Sequence, residues 1–146
     1  MDARERQTEL YRFAVEARLG GEVLEVLQDG MLVQWHGAMF VLGLTAPADP
    51  ELLVVFGEFE QAISGDDSEQ RGTAVSRAMG DTRLTRIIPQ SDSRYRVSAE
   101  SVLGAPDLFP SVELVATVLP RLMGAVCVGA QRLQEELVFL GAYDGV

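Results

Sequence analysis

The sequence has no lysine and no asparagine, and it has one cysteine, one histidine and one tryptophan. A lone cysteine, Cys127, excludes an internal disulfide and any multi-cysteine metal site. The lone histidine, His36, sits beside Trp35 and far from Cys127 in the chain, so a Cys–His nucleophile pair would have to be assembled by the fold. In its context "GAVCVGA", Cys127 reads more simply as a small buried hydrophobe. There is no phosphate-binding loop, no G-x-G-x-x-G, no G-x-S-x-G and no H-E-x-x-H. Asp66, Asp67 and Glu69 lack the spacing of a calcium loop and are better explained as helix capping. No metal, no cofactor and no enzymatic activity is expected.

All twelve basic residues are arginine, as a high-GC genome writes them, and 22 acids outnumber them to give a net charge of −10. Such a field repels polyanions, so free nucleic acid and anionic membrane are poor partners unless a local arginine patch overrides it. The opening "MDARERQTEL" has no apolar core of the kind a signal peptide needs, and the simplest compartment is the cytoplasm. With 47% hydrophobic and 23% charged residues, the 146 residues suit one soluble domain with a sizeable core.

Long apolar runs are also scarce, with one exception. Within "VELVATVLPRLMGAVCVGAQRL" (113–134), Leu122 to Ala130 carries no polar side chain. Glu113, Pro120 and Arg121 make it a poor membrane span, which leaves a core helix or a partner surface.

Helical spacing of Leu10, Phe13, Ala14 and Ala17 predicts a helix over 2–19, capped by Asp2 and stopped at Gly20–Gly21. Strands follow at 22–28 and 31–36 around an Asp29–Gly30 hairpin turn, then at 38–45, with an open break near Gly37. The proline-rich "APADP" (46–50) precedes a strand at 51–59. Segments 39–44 and 52–56 are apolar on both faces and need cover on both sides. The turn-rich "SGDDSEQ" leads to a helix at about 68–80 with Ala74, Val75, Ala78 and Met79 inward. A second hairpin pairs 83–90 with 94–101 through Ser91–Asp92–Ser93. A long helix, capped by Asp107, runs to about Leu140, with Pro120 expected to kink it. The predicted fold is a single α+β domain in the order α-β-β-β-α-β-β-α, a mostly antiparallel sheet packed by the long C-terminal helix.

Two surfaces are candidates. Arg83, Arg86, Arg94 and Arg96 place a third of the arginines on one hairpin, with Tyr95 between two of them. That pattern suits an acidic partner or single-stranded nucleic acid stacked on Tyr95, or else a solvated face balancing the chain's own acids. On the last helix, Val115, Leu119, Leu122, Val126, Ala130, Leu133 and Leu137 form a sheet-facing stripe. The opposite face also turns apolar between Arg121 and Gln131, so the helix is expected to be buried all round there. The cover would be another helix of the chain or a second protomer, at Leu122, Gly124, Ala125, Val128 and Gly129.

The order of elements, the "VLEV" and "MLVQW" strands, the capped helix after "SGDDSEQ", the "RLTRII…RYRVSAESVL" hairpin and the long closing helix together resemble the YbjN-like proteins. Those in turn resemble type III secretion chaperones in fold. The resemblance spans about residues 2–140. It implies a non-enzymatic, often dimeric protein that binds other proteins, holding a client against apolar sheet and helix surface. The leading expectation is a cytoplasmic adaptor or chaperone-like homodimer that binds a protein client. The alternative is an accessory factor in nucleic-acid processing, binding DNA weakly or through a partner, and an unrecognised enzyme comes third.

Overall fold

A computed structural model of the chain describes residues 1–60, 68–81, 85–91 and 94–143. The chain enters through α1 (Ala3–Phe13), whose N-cap Asp2 accepts a hydrogen bond from the Glu5 N–H at 2.8 Å. The helix then widens into a π-helical turn, Ala14–Arg18, where the Leu19 N–H reaches back to the Ala14 carbonyl at 3.1 Å. Gln7, Tyr11, Ala14 and Val15 point inward, while Phe13 and Ala17, expected inside, are exposed.

Six strands form one antiparallel sheet: β1 (Glu22–Val26), β2 (Gly30–Trp35), β3 (Ala38–Gly43), β4 (Leu52–Glu60), β5 (Thr85–Pro89) and β6 (Arg94–Val102), in the spatial order β1-β2-β3-β4-β6-β5. The break near Gly37 is a full turn. His36 (φ 50°) and Gly37 (φ 76°) both take the left-handed conformation that a tight two-residue hairpin demands, so four strands precede the middle helix. That helix, α2, spans Ser68–Asp81, and α3 spans Val112–Tyr143 without interruption at Pro120. Asp107 does not cap α3. It lies in the preceding turn at φ 65°, and the side chain of Ser111 accepts the Leu114 N–H at 3.1 Å instead.

The helices share one face of the sheet. Met31, Val33, Phe40, Leu42, Leu53, Val55, Tyr95, Val97 and Ala99 point into that layer and are almost fully buried. Over them lies the α3 stripe Val115, Leu119, Leu122, Met123, Val126, Ala130 and Leu133. Val112–Phe139 is long and apolar enough to cross a membrane by length and composition, at mean hydropathy 1.6. Here its apolar stripe closes the core. Gly129 allows α3 to descend onto β5 and β6, since a Cβ there would sit 2.9 Å from Val97 Cγ1.

Both sheet edges are blunted. On β1 the register slips between Val23 and Glu25, bulging the strand. On β5 the Ile87 N–H donates to the sulfur of Met79 from α2 at 3.3 Å, and Pro89 has no N–H to offer.

Candidate functional site

Strand alternation decides what the uncovered face of the sheet carries. Residues paired across strands share a side, so the register places Leu32, Val41, Leu52, Val54 and Phe56 together on the face opposite the helices, flanked by Met39, Ile88 and Val102. The first five are half-buried by their neighbours, and Met39 and Val102 are 52% and 67% exposed. No helix of the described residues covers them. The sequence marked 39–44 and 52–56 as apolar on both faces, and the structure supplies cover on one. A contiguous apolar patch on a soluble fold is the ordinary mark of a protein interface.

The arginine hairpin is divided by the same alternation. Arg86 and Arg94 are exposed on this open face. Arg96 is engaged: its guanidinium lies 4.2 Å from the centroid of the Phe56 ring and donates to Glu58 Oε1 at 2.8 Å. Tyr95 points the other way, into the core at 1% exposure, with its hydroxyl beside Arg71 of α2, so it offers no ring to a base. Arg83 lies outside the described residues, as do Asp66, Asp67 and the Asp92–Ser93 part of the turn, and no side chain is described at Glu69.

The apolar collar of α3 is one-sided. Leu122 is 5% exposed and packs in the chain's own core, and Gly129 is buried against Thr85 and Val97, so neither is open to a second protomer. Gly124 and Ala125 are half-buried. Cys127 and Val128 are exposed, Val128 at 46%, so of the two covers expected for this face no helix among the described residues provides one. Partial burial still pushes the Cys127 thiol up, which keeps it protonated and poorly nucleophilic at neutral pH. His36 is exposed at a hairpin tip, its ring edge-on to Trp35 at 4.2 Å. Among the described residues no three His, Cys, Asp or Glu side chains converge as metal ligands would.

One polar cluster is deeply buried. Gln7, fully enclosed, donates to Thr45 Oγ1 at 2.8 Å and to the Tyr11 hydroxyl at 3.2 Å, and its Oε1 accepts the Ala46 N–H at 3.0 Å. Thr45 in turn donates to the Leu52 carbonyl at 3.1 Å. Burial pushes the Tyr11 hydroxyl up to about 12, against the opposing hydrogen bonds with Thr45 and Gln7. Every partner is internal, which makes this cluster a tie between α1 and the β3–β4 connection.

No known protein-family model matches the chain, and no curated protein matches it. Among solved structures, the crystal structure of YbjN from E. coli, described as a candidate transcription regulator, superposes with a TM-score of 0.57 at 9% identity. The match covers 94% of this chain and 93% of that one. Identity so low carries the architecture and nothing of the chemistry. The single-layer antiparallel sheet under an N-terminal and a long C-terminal helix is the YbjN-like fold.

Proposed function

We propose that this protein is a non-enzymatic adaptor or chaperone-like homodimer that works in the cytoplasm and binds a protein client. The observation that carries the reading is the open apolar face of the sheet, which no helix among the described residues covers. Apolar surface exposed at Leu24, Val26 and Leu27 on the β1 side adds to it. The regulator description of the structural neighbour suits a protein that acts by binding other macromolecules. The test is an aggregation assay with reduced insulin as the unfolded client. The protein in molar excess is expected to delay the rise in light scattering, and an unchanged time course would remove the chaperone-like reading.

Among the described residues the nucleic-acid alternative keeps Arg86 and Arg94, since Tyr95 is buried and Arg96 is paired with Glu58. Glu58, Glu60 and Glu100 stand on the same face. With a net charge of −10 behind it, this patch is expected to give no gel shift of single- or double-stranded DNA at low salt. A shift abolished by Arg86→Ala with Arg94→Ala would restore the alternative.

A further inference from the structure

One cross-strand row runs the full width of the open face. Its members, paired in turn, are Glu25 on β1, Leu32, Val41, Phe56, Ser98 and Arg86 on β5. The row therefore starts with an acid, ends with a base and is apolar at its centre, through Leu32, Val41 and Phe56, with the polar Ser98 beside Arg86. Neither Glu25 nor Arg86 has an ion-pair partner among the described residues. Turned end for end, such a row complements itself at its charged ends and its apolar centre, while Leu32 meets Ser98. A two-fold axis lying in the interface and parallel to the strands performs that reversal. It sets Glu25 of one copy over Arg86 of the other, and Val41 over Phe56.

The area is also sufficient. Six strands about 4.8 Å apart, with six to nine residues rising about 3.3 Å each in the central ones, give a face of roughly 600–800 Å². That is close to the roughly 800 Å² each partner contributes to a standard interface. A second copy also shares the pleat and twist that let two sheets pack face to face.

We infer that the open face of the sheet is the homodimer interface, with β1 of one copy lying over β5 of the other. The inference rests on the reading of this face as a protein-binding surface, and it moves the pairing away from α3. A client is then left the β1 side, where Leu24, Val26 and Leu27 stay outside.

Light scattering on the intact protein at about 100 μM tests the pairing, a concentration at which a micromolar dissociation constant shows as a dimer. The mass should be that of a dimer, and Val54→Glu should reduce it to a monomer. Because Val54 is half-buried, the double variant Met39→Glu with Val102→Glu serves beside it, as both positions are more than half exposed and their substitution leaves the core intact. The charge arm fixes the orientation. Glu25→Arg alone and Arg86→Glu alone should each weaken dimerisation about tenfold, and the two together should restore it. A monomer mass for the unmodified protein overturns the inference. So does a dimer that survives all the face variants, or one dissolved by Val128→Asp instead. Loss without restoration in the charge pair overturns the orientation. A monomer that still delays insulin aggregation removes the pairing and keeps the protein-binding reading, whereas an inactive monomer removes both.

Discussion

At residue scale the position furthest from what its type suggests is Gln7. An amide in the first helix of an acidic chain reads as solvent-facing, yet Gln7 is fully buried and satisfies the Ala46 N–H. Replacing it with Leu keeps the volume but strands that donor and leaves the Thr45 Oγ1 acceptor without its donor, at a cost of roughly 2–4 kcal/mol in urea unfolding. Tyr11 sets an alkaline limit. Its hydroxyl ionises near 10 when unfolded and at about 12 when folded, so the neutral form contributes stability in full below pH 10. That contribution fades as pH rises through about 12, by roughly 2–3 kcal/mol. Tyr11→Phe should abolish this alkaline leg of the stability curve while costing about 1 kcal/mol at neutral pH. A leg unchanged in Tyr11→Phe would mean that another group is responsible.

At the scale of elements, most of the strands, both hairpins and the three helices were legible, because period-two and helical spacing report burial directly. The failures have physical causes. The inner face of α1 was misassigned because the stripe was counted on apolar residues alone, whereas burial of Gln7 depends on partners 38 and 39 residues away. On α3 the collar is divided, because apolar identity alone does not say which residues the chain's own core takes and which it leaves outside. Gly124 and Gly129 make the point on one helix. A Cβ at Gly129 would clash with Val97 and Thr85, whereas one at Gly124 meets nothing within 4 Å. Gly129→Val should therefore cost about 1–3 kcal/mol and Gly124→Ala should gain about 0.5–1 kcal/mol, both read from urea midpoints. Val128→Asp, at an exposed site, should fold with a native circular dichroism spectrum and leave the mass unchanged. The open sheet face was the part of the site within reach of sequence. Two strands without alternation announced a second apolar face, but only the register, which no local pattern encodes, shows that Glu25 and Arg86 end the same row.

At the scale of the whole molecule, charge and shape act on different ranges. The net charge of −10 keeps copies apart at a distance, and screening shortens that repulsion to about 10 Å at 0.1 M salt. A pairing driven by apolar burial should thus strengthen with added salt, up to the point where the Glu25–Arg86 contacts are themselves screened. Sedimentation across a salt series reads this directly, and a dimer that falls apart steadily from low salt upward would show that ion pairs dominate. The blunted edges carry a last consequence for how such an assembly ends. Joining by edges repeats without limit, since each added sheet presents a fresh edge, and the product is a fibre. Joining by faces around a two-fold axis consumes the surface it uses, and the product is closed at two. With the β1 bulge, Pro89 and the Met79 sulfur obstructing the first route, a pairing of the kind proposed would have a finite stoichiometry instead of an open-ended polymer.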